Sequence, residues 1–205
     1  TRFSDRATGD KSKFAKDAKI LHIDIDPAEI DKNIPSYFSL VGNIPDVFRA
    51  LLASLQKTQR EAWWQVISAH RAKEGAHSES GLTPRHIIEC ARQIAGADAL
   101  VATDVGQHQM WTAQYYKFAH PRGLLTSGGL GAMGFGMGAA IGGCIGRNKS
   151  RTLLFTGDGS FHMNLNELAT AVSENLPLTV IIMNNSVLGM VRQWQTLFFD
   201  KRSEE

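Results

Sequence analysis

The sequence predicts an α/β protein. A three-layer α/β/α domain with a mostly parallel sheet is expected over 81–205, preceded by a partial Rossmann-like α/β unit over 1–58 and a connector at 59–80. Two observations carry this reading. Short β-branched runs alternate with helix-spaced stretches, a βαβα pattern that packs as a parallel sheet between helices. The residues suited to chemistry then fall where the strands end, which is where ligands bind in open α/β sheets.

The elements follow in order. Residues 19–25 alternate apolar and polar side chains and read as a strand, after which Pro27 opens a short helix. A second strand is expected at 37–41. Residues 45–55 place Val47, Phe48, Ala50, Leu51 and Leu55 at helical spacing behind Pro45, a residue suited to a helix start. Residues 61–73 are expected as a helix with Trp63, Trp64 and Ile67 partly buried, and 75–81 as a small polar linker. In the second unit Thr83 is a good cap for a helix through Ile94. A buried strand at 99–103 ends at Asp104, and 110–116 is helical. A glycine-rich turn and helix occupy 128–146, and strands at 153–156 and 178–183 flank a helix at 166–175.

Composition narrows the function classes. Hydrophobic residues make up 43% and charged residues 20%, ordinary for a soluble globular protein. A net charge of +2, spread along the chain, argues against a nucleic-acid partner held by counterion release. No apolar run reaches the roughly 18 residues that span a bilayer, and no signal peptide opens the chain, so a cytoplasmic protein with no membrane partner is expected. Cys90 and Cys144 lack metal-ligand spacing and read as buried small hydrophobes in a reducing compartment. The missing initial Met and the charged Ser203-Glu204-Glu205 end suggest a chain cut from something longer.

The strongest chemical signal is Gly157-Asp158-Gly159-Ser160, followed by Asn184-Asn185 at the end of the next strand. Mg²⁺ takes hard oxygen ligands in near-octahedral geometry, commonly one carboxylate plus phosphates. Asp158 offers the carboxylate, Asn185 an amide oxygen and Val187 a backbone carbonyl. Gly157 and Gly159 let backbone approach a phosphate closely, and Ser160 leads into a helix whose start favours anions. Each motif alone is an ordinary turn; the pairing at two strand ends is what points to a diphosphate and a metal.

That pair resembles the binding motif of the thiamine-diphosphate (ThDP) enzymes, and hence their ThDP-binding fold. Val105-Gly106-Gln107-His108-Gln109-Met110-Trp111, the run 127–136, Gly157–Phe161 and Leu188–Trp194 are similar to the acetolactate (acetohydroxyacid) synthase large-subunit family, over almost the whole chain. The resemblance implies that Gly106, Gln107 and His108, with Gly157, Gly159 and Ser160, face the diphosphate. Gly131 and Met133 would offer backbone groups to the pyrimidine, and Met110 would lie against the cofactor. Asp158, Asn185 and the Val187 carbonyl would hold Mg²⁺, at a position where the family commonly has His in place of Val187. Leu188, Gly189 and Met190 would line the thiazolium and substrate side, with Met190 and Trp194 shaping the pocket for the second 2-oxo acid. Met190 and Trp194 otherwise read as a core stripe at i, i+4. His108 alone reads as a surface or capping histidine, and His162 has no role.

Residues 2–8 and 22–26 resemble the flavin-binding part of the family's central domain, which implies FAD contacts at Ser4, Arg6, Asp24, Ile25 and Asn43. Ser4 and Asn43 stand where the family often has Asp. Asp24 otherwise reads as a cap for the turn at Pro27. The implied reaction is decarboxylation of pyruvate and condensation with pyruvate or 2-oxobutyrate, in branched-chain amino-acid biosynthesis. The resemblance places no catalytic side chain here: the activating Glu is expected on an amino-terminal domain of a neighbouring subunit. A homo-oligomer, a possible regulatory subunit, and inertness of the isolated chain are expected. The rivals are a FAD-free catabolic acetolactate synthase, another ThDP-dependent 2-oxo acid decarboxylase, a non-enzymatic interaction or regulatory domain that kept the fold, and an NAD-dependent dehydrogenase. The last rests on Gly129-x-Gly131-x-x-Gly134, with Asp158 downstream. In the family match Asp104 precedes the diphosphate loop but ligates no metal, so Asp104→Asn is expected to cost much less Mg²⁺–ThDP binding than Asp158→Asn.

Overall fold

A computed structural model describes residues 2–75 and 81–202, with the side chains of Arg6, Glu74 and Gly75 outside the described set. The expected linker at 75–81 therefore lies mostly outside the described residues. The chain forms two compact units, Thr1–Ala76 and His77–Glu205.

The first unit holds α1 (Asp5–Thr8), β1 (Leu21–Asp24), β2 (Phe38–Val41), α2 (Ile44–Ser54) and α3 (Glu61–Gly75). β1 and β2 pair in parallel, with Leu21 opposite Phe38 and Asp24 opposite Val41. The turn after β1 is capped by Asp26, whose carboxylate accepts from Ala28 N–H at 2.9 Å. Asp24, the residue read as that cap, accepts instead from Asp26 N–H at 3.1 Å. The aspartate adjoining Pro27 is the one within reach of the first turn. Trp63 and Trp64 are 63% and 56% exposed, not partly buried. Along α3, Trp63, Trp64, Val66 and Ile67 spread around the helix, so no single stripe faces a core.

The second unit is a four-stranded, wholly parallel sheet in the order β4-β3-β5-β6. Its strands are β3 (Leu100–Thr103), β4 (Leu124–Leu125), β5 (Thr152–Gly157) and β6 (Leu178–Met183). Strand residues alternate between two apolar layers, as the period of two requires. Val101, Leu153 and Phe155 pack with Ile88 of α4 (Pro84–Ala95) and Tyr116, which follows α5 (Gln107–Tyr115). Ala102 and Leu154 pack on the opposite face with Met137, Ala140 and Ile141 of α6 (Phe135–Gly146) and Ala171 of α8 (Leu168–Ser173). Helices on both faces of one parallel sheet give the three expected layers. Thr83 caps α4, accepting from His86 N–H at 3.2 Å.

Several details differ from the sequence expectation. α5 begins three residues earlier than expected, at Gln107, because Gly106 ends the turn directly after β3. Only a short helix, α7 (Asp158–His162), follows β5, so the anion-favouring contribution of a helix dipole there is limited to about one turn. The helix expected over 166–175 is a 3-10 turn at Leu165–Glu167 followed by α8. Cys144 is buried, but Cys90 is only half-buried, with Sγ 3.6 Å from His86 Nε2 one turn away.

Candidate active site

The C-terminal ends of β3, β5 and β6 carry three loops that meet around one cleft of about 240 Å³. From the β3 side come Val105, Gly106, Gln107, His108 and Trp111; from the β5 side, Gly157, Asp158, Gly159 and Ser160; from the β6 side, Met183, Asn185, Val187, Leu188, Gly189, Met190 and Val191. Gly131 and Met133 complete it from the loop before α6. α9 (Gly189–Phe198) starts on its wall.

Local chemistry sets these loops. α5 opens at Gln107 beside the cleft; Gln109 N–H already donates to the Gly106 carbonyl at 3.1 Å, which leaves the N–H groups of Gln107 and His108 without an intrahelical partner, a favourable place for an anion. Ser160 Oγ donates to the Val105 carbonyl at 2.9 Å, joining the β5 loop to the β3 loop. After β6, Asn184 Oδ1 accepts from Ser186 N–H at 2.9 Å and Asn185 Oδ1 from Val187 N–H at 3.1 Å. These successive Asx turns put Ser186 in the left-handed region, φ 57°, where a short polar side chain is tolerated. Asn185 Nδ2 reaches Gln107 Oε1 at 3.4 Å, linking the third loop to α5.

The residues present fit a diphosphate with a divalent cation. Asp158, Asn185 and Val187 supply a carboxylate, an amide oxygen with a lone pair to spare, and a carbonyl, all hard oxygen donors on one cleft. The glycines stand where the loops approach one another too closely for a side chain. A Cβ on Gly159 would lie 2.8 Å from Leu188, one on Gly157 3.1 Å from His108, and one on Gly189 would collide with Gln107 Oε1. His108, read as a surface or capping residue when taken alone, is 5% exposed, and its Nε2 is buried with no hydrogen-bond partner. Burial holds its imidazole below the usual pKa, with the Asp104 charge pulling the other way. A neutral ring with an unsatisfied nitrogen on a cleft wall invites a polar ligand.

Two expected site residues stand apart. Met110 does not line the cleft: with α5 starting at Gln107, the residues facing it are Gln107, His108 and Trp111, and Met110 is exposed beside them. Trp194 lies a turn beyond the α9 residues on the wall, with its ring against Phe198 at 5.3 Å. Val105, Trp111, Met183 and Val191 line the cleft and were not singled out. Trp111 follows Gln107 by one turn, a spacing that could have signalled it. His162 is exposed and outside the cleft. The Gly129–Gly134 run is not a tight strand-to-helix turn, since residues 126–134 separate β4 from α6.

In the first unit, Asp24 ends β1 and Asn43 precedes α2, which follows the paired strand β2. Gly42 N–H donates to the Asp24 carbonyl at 2.9 Å, so Asp24, Ile25 and Asn43 share one sheet edge. Ser4 precedes α1, and the Arg6 side chain lies outside the described residues.

A parallel α/β sheet whose strand ends gather a carboxylate, an amide and close-packed glycines around one cleft places the chain among the α/β proteins that bind a ligand at the C-terminal ends of their strands. Comparison with known proteins gives the particular family. The C-terminal TPP binding domain of thiamine pyrophosphate enzymes matches residues 104–205, and the central domain of the same enzymes matches residues 1–51. The chain belongs to the thiamine pyrophosphate enzymes. It is 40% identical over 213 residues to the acetolactate synthase large subunit of Haemophilus influenzae, covering 100% of this chain and 37% of that protein. It is 42% identical over 212 residues to an acetolactate synthase of Mycobacterium bovis, covering 98% and 34%. It is 44% identical over 207 residues to the chloroplastic acetolactate synthase 1 of Nicotiana tabacum, covering 97% and 31%. The chain thus spans about a third of the length of these relatives.

Proposed function

We propose that this chain carries the diphosphate-and-metal half of an acetolactate synthase active site. The parent reaction condenses pyruvate, with loss of CO₂, onto pyruvate or 2-oxobutyrate. The observation that carries this reading is the convergence of the three strand-end loops on one glycine-lined cleft with oxygen donors from Asp158, Asn185 and Val187. When bound, thiamine diphosphate supplies the electron sink for decarboxylation. The chain's own residues do the holding: Asp158, Asn185 and Val187 take Mg²⁺, and Gly106, Gln107, His108, Gly159 and Ser160 surround the diphosphate. Gly131 and Met133 meet the pyrimidine, and Leu188, Gly189 and Met190 wall the reacting side. His108 stays neutral and offers a ring nitrogen without bringing a second positive charge beside the metal.

The group that activates the pyrimidine comes, in this reading, from a neighbouring subunit, so the working enzyme is a homo-oligomer. The name "large subunit" carried by the Haemophilus influenzae relative supports a smaller regulatory partner. FAD is the second cofactor, held at the β1–β2 edge by Asp24, Ile25 and Asn43 with Ser4 and Arg6. The free thiols of Cys90 and Cys144 suit a reducing compartment, the cytoplasm. Among the described residues no helix is long and apolar enough to cross a membrane.

Trp111 on the cleft wall gives the test. ThDP with Mg²⁺ should quench tryptophan fluorescence saturably, and NAD should not. Quenching by NAD alone would return the dehydrogenase reading.

A further inference from the structure

Hydrogen bonds join the loop after β3, the loop before α6 and the segment after β5 into a closed ring, and three of the residues that make it, Asp104, Gly134 and Asn164, do not line the cleft. Asp104, 1% exposed at the end of β3, accepts through Oδ1 from Val105 N–H at 2.7 Å and from Gly134 N–H at 2.9 Å. Its Oδ2 accepts from Gly136 N–H at 2.9 Å. Gly134 is gripped from its other side as well, because its carbonyl accepts from Asn164 Nδ2 at 2.9 Å. Asn164 stands just beyond α7, which carries Asp158 and Ser160. The Ser160–Val105 bond closes the ring.

Gly134 is the hinge of this arrangement. Its φ of 86° lies in the left-handed region, where glycine is at home but not confined. Left to itself, the 131–134 loop would sample other conformations. Fixing Gly134 from both sides removes that freedom before any ligand arrives, and a site ordered in advance binds more tightly than one that must be ordered on binding. Asp104 is thus no inert neighbour of the diphosphate loop. Its carboxylate faces three donors, and an Asn there would turn an NH₂ group toward at least one of them.

We infer that Asp104 and Asn164 are positioning residues. They hold Gly134 so that Gly131 and Met133 face Gly157–Ser160 across the cleft, and they set cofactor affinity without touching the cofactor. This rests on the thiamine-diphosphate reading of the cleft.

The test uses the protein at its full natural length and reads ThDP binding in saturating Mg²⁺ by calorimetry, beside the Tm of the cofactor-free protein. Asn164→Ala should weaken ThDP binding on the order of tenfold. Its Tm should match that of Asn166→Ala, whose side chain bonds only the adjacent Glu167 and whose ThDP affinity should equal wild type. Because both clamps act on one glycine, Asp104→Asn combined with Asn164→Ala should weaken binding by less than the product of the single effects. A wild type that does not bind ThDP overturns the cofactor reading and this inference with it. A wild type that binds, with Asn164→Ala binding equally well or losing affinity only in step with Tm, overturns the positioning role alone.

Discussion

Gly136 and Gly138 lie two residues apart on α6, and replacing each with alanine should move stability in opposite directions. A Cβ on Gly136 would sit 2.8 Å from Asp104 N and 2.9 Å from Asp104 Cα and Cβ. Comfortable contacts between carbon atoms lie at about 3.5–4.0 Å. The obstacle is the backbone at the end of β3, which cannot rotate away as a side chain can. Gly136 N–H is also a donor to Asp104 Oδ2, so separating α6 from β3 breaks that bond too. Overpacking costs about 1–3 kcal/mol and loss of a charge-assisted hydrogen bond about 1.5–3 kcal/mol. The helix propensity of alanine returns about 1 kcal/mol. Gly136→Ala should therefore destabilise by about 1.5–5 kcal/mol. At Gly138 a Cβ would meet nothing within 4 Å, so only the backbone term remains and stability should rise by about 0.5–1 kcal/mol. With a urea slope of about 2 kcal/mol per molar, Gly136→Ala lowers the unfolding midpoint by about 0.8–2.5 M and Gly138→Ala raises it by about 0.3–0.5 M. Midpoints that shift together, or a tolerated Gly136→Ala, would refute the close approach of α6 to β3.

His108 makes stability depend on pH. Burial depresses its pKa below the usual 6.5, so the unfolded chain takes up a proton first as pH falls. The stability contributed by the neutral ring is present above that value and is lost as pH drops toward the folded-state pKa. His108→Gln should flatten the urea-midpoint profile between about pH 7 and pH 5, and an unchanged slope would sink the idea. At the cleft, Gly189→Ala would drive a methyl into Gln107 Oε1 and to within 3.1 Å of Asn185 Nδ2. By displacing the Gln107 side chain it should weaken Mg²⁺-dependent ThDP binding by about tenfold, on the order of 1.4 kcal/mol; binding equal to wild type would show that Gln107 swings aside without taking part in binding.

The strands were legible because the physics that forms them is local. Ala102 and Leu154 face one apolar layer while Val101, Leu153 and Phe155 face the other, an alternation already written in the chain. The Gly157–Ser160 and Asn184-Asn185 turns were legible because strand ends collect glycine and short polar residues for reasons that act within a few residues. What could not be read depends on contacts between distant segments. Asp104 looked like an ordinary strand-end aspartate, and only the fold brings Gly134 and Gly136 to its carboxylate. Asn164 carries no motif, and its partner lies 30 residues away. Met110 was placed by likeness, and the register of α5 turned it off the cleft. Trp63 and Trp64 were expected to be partly covered because tryptophan usually is, yet α3 presents no apolar stripe that would cover them.

The central claim is that Asp158 supplies the one full negative charge among the protein ligands of a divalent metal beside a diphosphate. Asp158→Asn keeps the shape and the hydrogen-bonding capacity of the side chain and removes the charge. Losing the charged partner of a desolvated contact costs about 2–5 kcal/mol, roughly 30-fold to several-thousand-fold in affinity. The measurement is ThDP binding as a function of Mg²⁺ concentration, in the protein at its full natural length, for wild type and Asp158→Asn side by side. The expected result is tight, Mg²⁺-dependent binding by wild type and a loss in that range for the variant. Binding by Asp158→Asn with wild-type affinity and wild-type Mg²⁺ dependence would contradict the metal assignment at its root.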